Sequence, residues 1–364
     1  MPSINAALCL LWFPVAALLA GCDRAPVSDQ VHAAQLTENS NAVAALQPMP
    51  HDPPLVLDVC GKPQTYTQVP QRAVTHDVNI TEMFLFLGLG DRLVGYSGIP
   101  SRKEIAPEIK PVLDLLPNLS SHDMSLEAMV DARTDFVFAG WSYGFRAGGV
   151  TPELLAEHGI ASYVLAESCI RVNARQRVGL EDVELDLGNL ARIFGAEGQA
   201  IPRISQLKTA RERLAGQMAV NASKPRVFVF DSGEKIPVTA GRYGMPQAIL
   251  DAAGAINIFD DIPSNWPRGN WEDVIERDPQ WIVIVDYGMP SAQGKMDFLL
   301  AKPELAQVSA IRKRQFFVMS YAQATPGPRS VQVAQRLAAT LHPELEITTD
   351  ALTWPTLKQS QAQP

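Results

Sequence analysis

Short apolar runs alternate with amphipathic stretches along most of this 364-residue chain. Leu55-Val-Leu-Asp-Val59 opens the sequence expected to fold. Ala73-Val74-Thr75 reads as a strand that leads through His76-Asp77-Val78-Asn79 into a helix ending at Leu87. Asn79 followed three residues on by Glu82 has the spacing of a capping box. Leu93-Val94-Gly95 predicts the next strand, with a loop from Tyr96 to Lys110. A helix over 125–132, strand Phe136-Val-Phe138, a helix over 152–158 and a strand over 161–165 follow. Strands alternating with helices predict an α/β lobe with a parallel sheet. From Leu180 to Asn221 the pattern changes. Apolar residues at 180, 183, 187, 190 and 194, then at 201, 204, 207, 214 and 218, keep near-helical spacing. Only Gly195, Gly198 and Pro202 interrupt them, which predicts one long helix or two nearly collinear ones. Strand Arg226-Val-Phe-Val-Phe230, a helix over 246–253 with Pro at its first turn, strand 256–259, helix 271–277 and strand 281–285 then restate the first plan. Strand 316–319 and a helix over 330–341 close it. The tail after Pro343 reads as weakly structured.

The restatement is also one of sequence. Ser125-Leu126-Glu127 and Phe136-Val-Phe138-Ala139 align without gaps on Asn270-Trp271-Glu272 and Trp281-Ile-Val283-Ile284, at an offset of 145 residues. Each copy is a capping residue, an apolar residue, Glu, a short helix and a buried strand. The expected fold is therefore α/β, with two Rossmann-like lobes, each a parallel sheet flanked by helices, joined by a long backbone helix. A cleft between the lobes would hold the ligand. Expected boundaries are 54–178 for the first lobe, 179–222 for the linking helix, 223–345 for the second lobe and 346–364 for the tail.

The first fifty residues carry no such pattern. Ala6 to Ala20 is a short apolar core that suits a signal-peptide h-region better than a transmembrane helix. It ends in Leu19-Ala20-Gly21-Cys22, which resembles the lipobox of bacterial lipoproteins. That resemblance implies cleavage after residue 21 and a lipid on Cys22. Asp23 resembles the signal that retains lipoproteins at the inner membrane. Residues 22–53, rich in Ala, Pro, Gln, Asn and Ser, read as a lipidated cysteine and flexible tether. Of the four cysteines, Cys9 leaves with the signal and Cys22 takes the lipid. Cys60 and Cys169 remain as an even pair in an oxidising compartment. They are expected to form a disulfide, the alternative being two separate buried thiols.

Composition narrows the function. The net charge of −8, without a Lys/Arg run, argues against a nucleic-acid partner. No GxSxG, P-loop or dinucleotide fingerprint is present, so an enzyme is not expected. Asp231-Ser232-Gly233 is the only nucleophile-like loop, and no His is suitably placed for it by sequence. The six His after residue 21 form no metal-ligating motif, so neither a metal site nor a cofactor is expected, although His76 stays open as a contact to a metal inside a chelate.

Several segments together carry a family resemblance: Arg72-Ala73-Val74, Asn79-Ile80-Thr81-Glu82, Leu87 to Gly95, Ser125-Leu-Glu127, Asp135-Phe-Val137 and Ala253 to Phe259. From about residue 55 to 345 the chain resembles the substrate-binding proteins of ABC importers for iron–siderophores, cobalamin and related chelates. Val59-Cys60-Gly61, Gly140-Trp141-Ser142, Glu167-Ser168-Cys169, Asp231-Ser232-Gly233 and Asp286-Tyr287-Gly288 resemble a subgroup whose paired cysteines support the disulfide. The resemblance implies capture of a chelate or cofactor-like ligand and delivery to an importer permease dimer with its ATPase. It implies a monomer on the periplasmic or cell-surface face of the cytoplasmic membrane. Glu127 and Glu272 would be the pair that docks on the importer. An exported α/β hydrolase or transferase, or a sensor lipoprotein, are the competing functions.

Ligand contacts are expected at the carboxyl ends of the strands. The candidates are Asp77, Tyr96, Trp141, Tyr143, Asp231, Arg242, Tyr243, Trp266, Tyr287 and Tyr321. Flat aromatic walls suit conjugated ligands, and Arg242 beside a helix N-terminus suits an anionic group. Arg102 and Arg268 are weaker candidates of that kind. Phe145 is expected to pack the lobe instead. A stiff linking helix predicts small closure on ligand binding.

Overall fold

The computed structural model describes residues 49–101, 103–175, 177–219 and 224–356. The signal, Cys22, most of the tether, Arg102 and the last eight residues therefore lie outside the described residues. Among those described, no helix is long and apolar enough to cross a membrane.

The described residues open with an antiparallel hairpin, β1 (Pro50–Val59) and β2 (Lys62–Gln68). It starts inside the expected tether range, and the His51 ring already meets the Ile193 carbonyl at 3.0 Å. The hairpin is tied to the first lobe by Gln64 and Tyr66, both donating to the Ser162 carbonyl. The first lobe then runs β3 (Ala73–His76), α1 (Val78–Phe86), β4 (Leu93–Ser97), α2 (Lys110–Leu113), β5 (Asn118–Ser120), α3 (Leu126–Asp131), β6 (Phe136–Trp141), β7 (Gly144–Phe145), α4 (Pro152–Glu157) and β8 (Ala161–Val164). Helices α5 (Glu181–Ile193) and α6 (Glu197–Met218) follow. The second lobe comprises β9 (Arg226–Phe230), α7 (Met245–Ala252), β10 (Ile256–Asn257), α8 (Trp271–Arg277), β11 (Trp281–Asp286), α9 (Ala292–Ala301), α10 (Ser309–Lys313), β12 (Phe316–Ser320), α11 (Tyr321–Ala324) and α12 (Ser330–Leu341).

Strands β5-β4-β3-β6-β8 form one parallel sheet, with short β7 on the end of β6; β10-β9-β11-β12 form the other. Buried runs such as Phe136–Ala139 and Ile282–Val285 are apolar throughout, as strands covered on both faces require. The two sheets share a topology. The first strand of each lobe, β3 or β9, is central, with the next strand, β4 or β10, on one side of it and the strand of the repeat, β6 or β11, on the other. The carboxyl ends of β3 and β9 are thus the switch points where open α/β sheets leave a crevice. The repeat is equally regular. Helices α3 and α8, and strands β6 and β11, begin 145 residues apart. Ser125 and Asn270 cap the two helices by accepting from the Ala128 and Asp273 amides.

The linking region departs from expectation. Its two helices are not collinear. Gly195 adopts a left-handed φ of 60°, the chain turns within three residues, and α6 folds back on α5. Arg211 late in α6 reaches Glu184 early in α5, with Nε–Oε1 at 2.6 Å and Nη2–Oε2 at 3.1 Å. Apolar periodicity continues through both helices because each buries a stripe, and periodicity alone does not register a reversal. Only α6, with 22 residues, leads from one lobe to the other.

The segment after α12 is also firmer than expected. It has no helix or strand, yet Gln206, Gln217, Gln332 and Gln335 bond to it at 2.7–3.0 Å, at Ala351, Glu346 and Asp350. Trp354 packs edge-on against Phe86 at 5.4 Å and beneath the Arg329 guanidinium at 4.9 Å.

Helix α1 explains why the lobes stay together. All nine of its residues are buried, because the second lobe covers it. Going along it, Asp77 meets Tyr321, Asn79 donates to the Pro326 carbonyl (2.8 Å), Glu82 meets Arg329 (2.9 Å) and Phe86 meets Trp354. The capping box expected from Asn79 and Glu82 does not form. Asp77 is the N-cap, and both polar side chains are spent across the seam.

Candidate ligand site between the two lobes

Asp77 and Asp231 end β3 and β9, and each anchors a similar trio. Asp77 is 5% exposed and holds a left-handed φ of 79°, a strained conformation for a residue other than glycine. Its Oδ2 accepts from the Tyr321 hydroxyl at 2.6 Å and its Oδ1 from Lys103 Nζ. That lysine also lies over the Tyr321 ring, 4.1 Å from its centre. In the second lobe Asp231 accepts from the Tyr287 hydroxyl and from Ser232. Lys295, buried in α9, lies 4.6 Å from the centre of the Tyr287 ring and donates to the Asp231 and Val285 carbonyls. The Tyr287 and Tyr321 rings face each other at 5.0 Å and 31°. Two Asp–Tyr–Lys trios, one at each switch point, thus meet through their rings.

Beside them Trp266 Nε1 donates to the Tyr143 hydroxyl across the seam at 3.4 Å, and Arg171 donates to Asn265. Tyr143 is buried, and burial drives both its hydroxyl and that of Tyr321 well above the usual tyrosine range. Glu167 is 1% exposed; the Met245 amide lies near its carboxyl, but neither oxygen has a well-formed hydrogen bond. Burial pushes its pKa up to about 8; the Met245 amide, Arg171 and Arg175 oppose that rise without cancelling it. Glu82 is likewise pushed to about 7 by burial, against the pull of Arg329. His76, wedged between Gly98 and Gly144 with Nδ1 2.9 Å from the Ser97 hydroxyl, is held neutral by burial, its pKa lowered to about 4.

Of the ten residues expected at the ligand, six converge here: Asp77, Tyr143, Asp231, Trp266, Tyr287 and Tyr321. Trp141 lies close by, its ring against buried Phe145 at 6.1 Å. Phe145 is fully buried, the packing role expected of it. Tyr243 is partly buried in the loop that packs on Asn265. Tyr96 stands apart; the charges that act on its hydroxyl are Asp114 and Lys110. The Arg242 Nε donates to the Asp260 carbonyl at 2.7 Å, and the side chain is exposed rather than part of the buried trios. Lys103, Lys295, Arg171 and Glu167 were not anticipated. Lysines in a loop and a helix give no burial signal, whereas Glu167 stood within the Glu-Ser-Cys motif already noted.

Glu127 and Glu272 are exposed in the first turns of α3 and α8. The Cys60 and Cys169 sulfurs are joined, with Cα atoms 5.0 Å apart. Among the described residues no group of three or more His, Cys, Asp or Glu is arranged to hold a metal ion. The Ser232 hydroxyl donates to Asp231 at 2.8 Å, an arrangement that restrains it rather than activates it.

Two switch-point sheets facing each other across an aromatic and polar seam define a two-lobed binding-protein architecture. Residues 74–322 match the periplasmic binding protein family model, and the chain belongs to that family. A vitamin B12-binding protein of Pectobacterium carotovorum is 26% identical over 275 residues, covering 75% of this chain and 89% of the relative. A periplasmic binding protein from Veillonella parvula superposes with a TM-score of 0.69 at 25% identity, covering 80% of this chain and 98% of the other. An ABC-type Fe3+-hydroxamate transport protein from Saccharomonospora viridis has the same fold, with a TM-score of 0.67 at 21% identity and coverage of 79% and 99%.

Proposed function

We propose that this protein captures a large chelate or cofactor-like ligand, such as an iron–siderophore or a corrinoid, and delivers it to an ABC importer. The observation that carries the reading is the meeting of Asp77, Tyr321, Asp231 and Tyr287 at the two switch points, in a chain of this family. Each tyrosine hydroxyl donates to its aspartate and the two rings pack on one another. A ligand would separate the rings and take over those hydrogen bonds.

Export with a lipid on Cys22 would hold the body at the periplasmic or outer face of the cytoplasmic membrane. Glu127 and Glu272, at equivalent exposed places in the two lobes, would meet the two permease subunits, where charge pairs fix register and speed encounter. The Cys60–Cys169 bond would form on export, and the protein would act as a monomer. Lobe movement would be small, because α1 is gripped along its length as well as spanned by α6.

Titration of tryptophan fluorescence with cobalamin and ferric siderophores tests the reading. Saturable binding without chemical change of the ligand supports it. Turnover of an added ester or glycoside, with no chelate bound, would replace it by the hydrolase reading.

A further inference from the structure

We propose that the interlobe site selects an uncharged or cationic ligand and rejects polycarboxylate chelates. This rests on the reading of the seam as a ligand cleft and adds the charge class of what enters it.

Among the described residues, the buried cations around the seam are already held. Lys103 is held by Asp77, by the Gly98 carbonyl at 3.3 Å and by the Tyr321 ring. Lys295 is only 4% exposed and is fixed by two main-chain carbonyls that close the ends of β9 and β11. Arg171 gives its Nη2 to the Asn265 amide oxygen, and Arg175 is held by the Ala166 carbonyl and Asp182. Arg242 faces Asp260. Lys235 and Arg268 are exposed, where water and salt screen them. Removing any of the inner cations from its partner to meet a ligand would leave a buried acceptor unpaired.

Acidic side chains are concentrated there. Asp77, Asp231 and Glu167 are all buried at or beside the seam, and Asp286 lies at the end of β11. Neither Glu167 oxygen has a well-formed hydrogen bond, although the Met245 amide lies near them, and a ligand N–H would supply one. The groups there already resist negative charge: Glu167 keeps its proton to about pH 8, and the Tyr143 and Tyr321 hydroxyls are harder still to ionise. A ligand carboxylate brought into this seam would lose water, and among the described residues Lys103, Lys295 and Arg175 are already held by other acceptors. An amide, amine or ammonium group would find acceptors in place.

Four probes separate the classes: cyanocobalamin (uncharged) and ferrioxamine B (cationic) against haemin and ferric citrate (both anionic). Dissociation constants would be measured by tryptophan fluorescence and calorimetry at pH 7. The expected result is that one of the first two binds at least tenfold more tightly than either anion. Tighter binding of haemin or ferric citrate overturns the charge assignment and leaves chelate capture standing. Failure of all four to bind counts against the chelate reading and against this inference with it.

Discussion

Replacing Glu167 with Gln tests the electrostatics of the seam directly. Unfolded, this carboxyl loses its proton near its ordinary value of 4.5; folded, it keeps the proton to about pH 8. Between those values the folded protein binds more protons than the unfolded chain. Stability therefore falls as pH rises through that window, and the penalty is complete above the folded value. One proton is worth about 1.4 kcal/mol per pH unit, so the whole window sets a ceiling of about 5 kcal/mol. Relaxation of the seam around the new charge, and water entry, would reduce it to roughly 2 kcal/mol. Gln has the same shape and cannot titrate. The assay is urea unfolding of both proteins at pH 5, 6.5 and 8. At pH 5 the variant should equal the wild type or fall slightly below it, because its amide also lacks a partner. At pH 8 it should be more stable by roughly 2 kcal/mol. Glu82 titrates in the same range but is common to both proteins, so the difference isolates Glu167. Parallel stability–pH curves would refute the reasoning, since they would mean that Glu167 is hydrated and already ionised.

Other predictions follow from the seam and from the surface. Arg329→Ala strands the fully buried Glu82 and should cost 3–5 kcal/mol, of the order seen when one partner of a buried ion pair is removed; Glu82→Leu combined with Arg329→Met should recover most of it in chemical denaturation. Converting Cys60 and Cys169 to Ser opens a loop spanning 109 positions and should lower stability by about 2–5 kcal/mol, with non-reducing mass mapping of the wild type showing no free thiol at either position. Glu127→Ala with Glu272→Ala should abolish uptake in cells while ligand affinity stays unchanged; retained uptake would remove the docking role.

Much of this architecture is legible in the residues because it depends on periodicity. Parallel strands such as Phe136–Ala139 announce themselves as unbroken apolar runs, and the 145-residue repeat maps onto α3–β6 and α8–β11 without adjustment. Aspartates ending the first strand of each lobe are likewise findable, since the topology directs attention to them. What escapes the sequence is long-range. Glu82 has perfect capping-box spacing, yet its partner Arg329 lies 247 residues away. Lys103 and Lys295 look like ordinary solvated lysines; only the fold reveals that each sits on a tyrosine ring. Arg242 stands beside a helix start as an anion-binding residue would, and its Nε bond to the Asp260 carbonyl is set by the fold, not by sequence spacing. The reversal at Gly195 turns on one backbone dihedral angle, which apolar spacing does not encode.

The central claim is capture of a chelate between the lobes. Its most direct test is to purify the protein from the periplasm of its native host and record the absorption spectrum and mass of whatever remains bound. The account predicts a stoichiometric, uncharged or cationic chelate or conjugated cofactor, released when Asp77 and Asp231 are both replaced by Ala. A protein that emerges bound instead to a simple sugar, an amino acid or a peptide, in a manner indifferent to those two aspartates, would contradict it.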